Sequence, residues 1–309
     1  MSSDVPRSIV VVVGPTGVGK TDVAFHLATQ LGGEIVSADS RLVYRTMDIG
    51  TAKPDAAMRR EVPHHMIDLV DPDRQYTSKD YERAARAAIE DILKRGKVPV
   101  VAGGTGLYVK ALFHGIFDGP GANPELRRHL QDLGRREGGQ SLWRRLSRVD
   151  PDKARVTDPR NLARVIRALE VFETTGEPMS VLERAATPFA VPFATIGLVR
   201  DRGDLYARIE QRVDCMIEAG LVDEVRGLVG RGYAESPVVK KTLGYGEILQ
   251  YLRGDIPLTA ATALIKKNTR HFAKRQLTWF RKDPATRWMD VTARSDYEAV
   301  AAEAGDLSG

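Results

Sequence analysis

The stretch Gly14-Pro15-Thr16-Gly17-Val18-Gly19-Lys20-Thr21 fits the spacing G-x-x-x-x-G-K-[ST], and it constrains the fold more than any other feature of the chain. A β-branched apolar run, Ile9 to Val13, precedes it. Apolar residues then recur with helical period at Val23, Ala24, Leu27, Ala28 and Leu31, until Gly32-Gly33 stops the pattern. Strand, glycine-rich loop and helix therefore follow one another in the order a phosphate-binding loop requires. Glycines let backbone N–H groups turn onto phosphate oxygens, the helix start adds its positive end, and Lys20 adds a full charge. Thr21 stands where a hydroxyl would hold Mg²⁺. The motif identifies a polyphosphate ligand without saying whether that ligand is a nucleotide.

Around this motif the first third of the chain alternates short apolar strands with helical patterns, the mark of a parallel sheet with crossover helices. Strands are expected at 9–13, 34–38, 66–70 and 98–102, with a helix at 21–31 and another opened by the capping box Thr77-x-x-Asp80 and running to Gly96. From about Phe117 to Pro192 arginine-rich helical patterns replace this alternation. A strand returns at 195–199, and everything after it reads as helices. The expected fold is α/β, a P-loop parallel sheet core with an inserted helical domain. Its expected limits are 1–117 with 193–309 for the core and C-terminal helices, and 118–192 for the insert. A length of 309 residues suits two unequal domains.

With 42% hydrophobic and 28% charged residues the composition is that of a folded globular chain, not a disordered or fibrous one. A lone cysteine, Cys215, excludes an internal disulfide and a thiolate zinc site, and reads as a buried small residue. No apolar run is long enough to span a bilayer, and the chain opens without a secretory leader, so a cytoplasmic location with no membrane partner is expected. A net charge of +5 suits a phosphate-rich partner but is equally met in solvated surfaces.

Chemistry is expected at the carboxyl edge of the sheet, where open parallel sheets bind ligands. There the second strand runs into Asp39-Ser40-Arg41, with Asp39 the candidate general base, and a later strand ends in Gly103-Gly104-Thr105-Gly106. Two helical stretches carry basic faces. In the insert Asp158-Pro159 reads as a helix start, followed by a stripe of Leu162, Val165, Ile166, Leu169 and Phe172 with Arg160, Arg164 and Arg167 off it. Near the C-terminus Ile265, Phe272 and Trp279 recur at seven, with Lys267, Arg270, Lys274 and Arg281 on another face. Beside a P-loop, two such faces point to phosphate or RNA contact. His64-His65 lacks metal-ligand spacing and is read as packing or loop hydrogen bonding.

Taken together, several stretches resemble the tRNA dimethylallyltransferase family, also called tRNA isopentenyltransferases. The resemblance runs through Gly14 to Thr21, Asp39 to Arg45, Asp48 to Pro54, Val62 to His65, Gly103 to Tyr108, Arg164 to Val171, Leu243-Gly244-Tyr245 and Lys274 to Arg281. The Asp48 to Pro54 and Lys274 to Arg281 blocks are particular to that family. It implies a P-loop core with a helical insert, Asp39 as base and Thr105 assisting at the acceptor amine. It also implies tRNA contact along Asp39, Ser40, Arg41 and Leu42, at Ala163, Arg164, Val165, Ile166 and Arg167, and at Lys241, Thr242, Leu243, Gly244, Tyr245 and Gly246. Further contacts are implied at Lys274, Arg275, Gln276, Leu277, Thr278, Trp279, Phe280 and Arg281, and Arg127 falls where members carry a basic residue near the substrate. The chain departs from the family pattern at Leu42 for glutamine, Thr46 for glycine and Gly246 for lysine.

The implied reaction displaces diphosphate from dimethylallyl diphosphate by the exocyclic amine of the adenosine 3′ of the anticodon, with Mg²⁺ as cofactor and a monomer as the acting unit. Three alternatives stay open on residues alone: a small-molecule kinase using the loop for ATP, a prenyltransferase acting on free adenylate, and a non-catalytic RNA-binding protein.

Overall fold

A computed structural model describes residues 9–292, 294 and 296–308. The chain divides into two compact units, one formed by residues up to Leu112 and from Ala190 on, the other by Phe113–Phe189. The second unit begins and ends a few residues before the limits 118 and 192 expected from composition.

In the first unit β1 (Ile9–Val13) is buried along its whole length, each valine contributing roughly 1.5 kcal/mol or more by leaving water. Helix α1 (Lys20–Leu31) follows, ended by Gly32 at φ 59, and then β2 (Glu34–Ser37). After α2 (Ala56–Glu61) comes β3, which is only His64–His65. The strand expected at 66–70 does not form, because Met66 and Asp68 adopt φ 66 and φ 57, left-handed values that break an extended run. The expected capping box is present: Thr77 and Asp80 exchange side-chain and backbone hydrogen bonds at the start of α3 (Ser78–Lys94). β4 (Pro99–Gly103) and α4 (Gly106–His114), the latter as far as Leu112, complete the first part of the unit.

The second unit contains α5 (Pro124–Glu137), α6 (Gly139–Val149), α7 (Pro151–Arg155), α8 (Leu162–Thr175) and α9 (Met179–Arg184). Their buried faces form one core around Leu130, Leu142, Leu146, Val165 and Leu169. Helix α8 starts later than Asp158-Pro159 promised. Those two residues make a turn closed by Asn161 N–H to Asp158 O, and Asn161 caps the helix instead, accepting from Arg164 N–H.

Back in the first unit, β5 (Phe193–Val199) leads to α10 (Arg202–Glu218), α11 (Leu221–Gly230), α12 (Pro237–Lys241), α13 (Tyr245–Leu252) and α14 (Leu258–Phe280). A strand missing from the sequence reading, β6 (Arg287–Asp290), precedes α15 (Tyr297–Ser308). Only Met289 of its four residues is buried, so it carries almost no apolar signal. The six strands are all parallel in the order β3-β2-β4-β1-β5-β6. The chain leaves β1 for β2 on one side and reaches β5 on the other, so the loop after β1 opens at a topological switch point.

Candidate active site

The loop after β1 turns through Gly17 and Gly19 at φ 82 and φ 107, backbone states that disfavour any side chain. Helix α1 has Gly19 at its cap with no side-chain acceptor, which leaves its first N–H groups for an anion. The loop is held from outside. Gln276 accepts from Thr16 N–H at 2.8 Å and donates to Gly104 O at 2.8 Å. Arg200 Nε donates to Val18 O at 2.9 Å and Arg208 Nε to Gly17 O at 3.2 Å. Lys20 donates from Nζ to Pro15 O at 2.8 Å. Burial pushes its ammonium down to about 8, against the charge of Asp39 and with that of Arg212.

Two cavities lie beside the loop. One, of about 520 Å³, is lined by Gly17, Gly19, Lys20 and Thr21 together with Lys53, Arg208, Arg212 and Cys215. The other, of about 280 Å³, has a polar side of Thr16, Asp39, Ser40, Arg41 and Thr105. Its apolar side comes from Ile209, Val213 and Met216 on α10 and Ile265 and Phe272 on α14, residues at helical spacing that share one face of each helix. Arg212 lines both cavities. Burial lowers its pKa, while Asp39 and Asp22 oppose that shift.

Asp39 and Thr105 follow the adjacent parallel strands β2 and β4, and so come to the same edge. Asp39 Oδ1 accepts from Arg41 N–H at 2.8 Å. Thr105 Oγ1 accepts from Ser40 N–H at 3.0 Å, and Thr105 N–H donates to Ala38 O at 3.1 Å. The Asp48–Pro54 segment, with Gly50 and Thr51 on one cavity and Ala52 and Lys53 on the other, is fixed by Glu224. That carboxylate accepts from the N–H groups of Asp48, Ile49 and Gly50 and from the Tyr245 hydroxyl.

The three departures from the family pattern have different local consequences. Thr46 keeps the turn that glycine would make, at φ 62 and with its buried hydroxyl unpartnered among the described residues, a strained state for a β-branched residue. At Gly246 a Cβ would stand 2.4 Å from Lys240 O, so the turn between α12 and α13 leaves no room for a side chain. Leu42 is half-buried, and its carbonyl accepts from Asp68 N–H.

Of the other residues singled out from sequence, Lys241, Thr242, Leu243 and Gly244 line the smaller cavity, as does Arg275. Lys274, Thr278, Trp279 and Arg281 are exposed and Leu277 half-buried, whereas Tyr245, Gln276 and Phe280 are buried. In the second unit Ala163 and Arg164 are exposed, and Val165 and Ile166 are core. Arg127 and Arg167 both pair with Glu170, which is fully buried. Cys215 is exposed beside the P-loop, contrary to its expected burial, because it lies on the cavity side of α10. His64 Nδ1 bonds to Val62 O and His65 Nε2 to Glu34, but from strand β3 and not from a loop.

Sequence reading missed Arg200, Arg208, Arg212 and Glu224. Arg208 and Arg212 each precede a core residue of α10, Ile209 and Val213, a pattern indistinguishable from a solvated helix face. Oxygen donors suited to Mg²⁺ line the larger cavity at Thr21, Asp22 and Asp55. Among the described residues no three His, Cys, Asp or Glu side chains cluster as a metal cage, so a magnesium ion here would draw most of its ligands from phosphate and water, its usual habit.

The family model described as IPP transferase matches residues 42–283. The tRNA dimethylallyltransferase of Thermotoga petrophila is 48% identical over 284 residues, 92% of each chain, and that of Pelotomaculum thermopropionicum is 46% identical over 98% of this chain and 97% of its own. Among solved structures, the tRNA isopentenylpyrophosphate transferase of Bacillus halodurans superposes with a TM-score of 0.71 at 40% identity, over 97% of this chain and 95% of its own. A eukaryotic dimethylallyltransferase acting on tRNA superposes with a TM-score of 0.79 at 29% identity, over 96% of this chain and 77% of its own. With its P-loop, its Asp39–Thr105 edge and this likeness along nearly its whole length, the chain belongs to the tRNA dimethylallyltransferase family.

Proposed function

We propose that this protein transfers a dimethylallyl group from dimethylallyl diphosphate to the exocyclic amine of the adenosine 3′ of the anticodon in tRNA, releasing diphosphate. The observation that carries this reading is that Arg212 lines both the P-loop cavity and the cavity bearing Asp39 and Thr105. A diphosphate in the first and an acceptor base in the second would thus meet at one point, with the apolar faces of α10 and α14 beside the prenyl group.

The exocyclic amine is a weak nucleophile because its lone pair is delocalised into the ring. In the proposed step its nitrogen bonds to the prenyl carbon as the carbon–oxygen bond to diphosphate breaks, and Asp39 takes the amine proton. Thr105 holds the acceptor amine by hydrogen bonding. The loop amides, Lys20 and Arg212 stabilise the charge gathering on the leaving diphosphate. Magnesium, held through Thr21 and the phosphates, would add further positive charge there. The adenine must leave its stack to enter the cavity. Arg164, Lys274, Arg275 and Arg281 are proposed phosphate contacts for the tRNA, with the segments 39–42 and 241–246 along the bound strand and Arg127 near it. The proposed setting is a monomer in the cytoplasm; no helix among the described residues is long and apolar enough to cross a membrane.

The test is to incubate the protein with tRNA, Mg²⁺ and dimethylallyl diphosphate, digest the tRNA and weigh its nucleosides. One adenosine heavier by a dimethylallyl group supports the reading. A phosphorylated small molecule formed from ATP without RNA would favour a kinase, and prenylated free adenylate with unmodified tRNA would favour the adenylate enzyme.

A further inference from the structure

The C-terminal helix reaches the P-loop through one side chain that no motif marks. Tyr297, the first residue of α15, presents its phenol oxygen to two guanidinium groups: Arg208 Nη2 donates to it at 2.8 Å and Arg200 Nη2 at 3.0 Å. Those arginines are the same two that bond P-loop carbonyls, Arg208 to Gly17 O and Arg200 to Val18 O. The tyrosine ring also lies on the loop itself, since a Cβ at Gly19 would fall 2.7 Å from its Cε1. One phenol thus touches the loop directly and both of its cationic supports.

The two arginines differ in what they have left to give. Arg200 is buried, and its remaining donors go to Asp204 at 2.8 Å and Arg294 O at 3.0 Å. Arg208 lines the P-loop cavity, and its Nη1 has no partner among the described residues. A guanidinium held at Nε and Nη2 has its rotation fixed, so the two N–H groups of Nη1 are directed by those two bonds. An anion in the cavity then meets a charge that is already oriented, so less side-chain entropy is lost on binding.

We infer that Tyr297 is a positioning residue for the diphosphate site: its hydroxyl oxygen fixes the Arg208 guanidinium between Gly17 O and the cavity, and its ring backs Gly19. This rests on the reading of the cavity as the diphosphate site. Without the oxygen, Arg208 keeps one anchor of two and swings about it.

The experiment compares wild type with Tyr297→Phe, which keeps the ring over Gly19 and removes only the acceptor. Inorganic diphosphate with Mg²⁺ is titrated calorimetrically into each full-length protein, alongside urea unfolding and steady-state prenyl transfer. The expected result is about tenfold weaker diphosphate binding, the scale of one hydrogen bond to a charged group. KM for the prenyl donor should rise with it, KM for tRNA should stay unchanged, and the urea midpoint should move little. Tyr297→Leu, which also removes the ring, should weaken diphosphate binding further. Diphosphate affinity equal to wild type in Tyr297→Phe overturns the inference, whether or not stability falls. Diphosphate binding by wild type that weakens in Tyr297→Phe, with no prenylated tRNA formed by either, would sink the proposed reaction and leave this inference standing.

Discussion

Gln276 accepts the backbone N–H of Thr16 at 2.8 Å, tying the C-terminal part of α14 to the P-loop. The same amide donates to Gly104 O, so one buried side chain joins the loops that follow β1 and β4. Gln276→Leu should leave Thr16 N–H and Gly104 O without partners. It is predicted to lower stability by about 2 kcal/mol and to raise KM for the donor more than KM for tRNA. Urea unfolding with paired KM measurements checks this; a rise confined to tRNA would make Gln276 an RNA contact.

Lys20→Ala is predicted to lower prenyl transfer by about 10²-fold or more with tRNA affinity largely intact, since the charge acts at the diphosphate end. In wild type the ammonium, with its pKa near 8, is the form that binds an anion. Donor KM should therefore rise as pH increases past that value, and the rise should be absent in the alanine variant. A flat wild-type profile would remove Lys20 from the donor site.

The two arginines of α8 should behave differently. Arg164 is exposed, so Arg164→Ala should reduce the salt dependence of tRNA binding by up to about one unit of slope without altering stability. Arg167 is paired to buried Glu170, so Arg167→Ala should lower the unfolding midpoint even though Arg127 still pairs with that carboxylate. Filter binding across a salt series and thermal unfolding separate the two; an unchanged slope in Arg164→Ala would make it an idle solvated side chain.

Acid should destabilise the first unit in two stages. Burial holds His64 below its ordinary 6.5, so the unfolded chain binds a proton there first, and stability falls as pH drops below that value. Hydrogen bonds from Arg95, His65 and Lys97 hold Glu34 far below its ordinary 4.5; its contribution is present above 4.5 and lost as pH falls below it. Glu34→Gln should cost about 2 kcal/mol at neutral pH, less than a fully buried pair because Arg95 and Lys97 stay partly in water, and should flatten the second stage. Urea midpoints across the acid range measure both.

How much could be read from sequence follows from how each feature is encoded. β1, α1 and the placement of Asp39 and Thr105 at the carboxyl edge of the sheet were legible because a buried parallel strand is a continuous apolar run whose end can be located. β6 was not, since three of its four residues, Arg287, Trp288 and Asp290, are not buried. β3 was misplaced because Met66 has an apolar side chain on a left-handed backbone, which composition does not reveal. Arg208, Arg212 and Tyr297 reach the site from α10 and α15, far along the chain, and their meaning depends on a packing that no local pattern encodes. Gln276 was marked only through family resemblance, as an RNA contact, whereas its burial and its bonds to Thr16 and Gly104 come from tertiary structure.

The central claim is that Asp39 removes the amine proton while diphosphate departs on the P-loop, and single-turnover prenyl transfer by Asp39→Asn across a magnesium series tests it most directly. The amide keeps the size of the carboxylate and can still accept from Arg41 N–H, but it cannot take the proton. The predicted result is wild-type binding of donor and tRNA with a rate lower by ~10² to 10⁴-fold, about 3 to 5 kcal/mol on the barrier, at every magnesium concentration. A rate that returns to near wild type at high magnesium would contradict the claim and make Asp39 a metal-site residue.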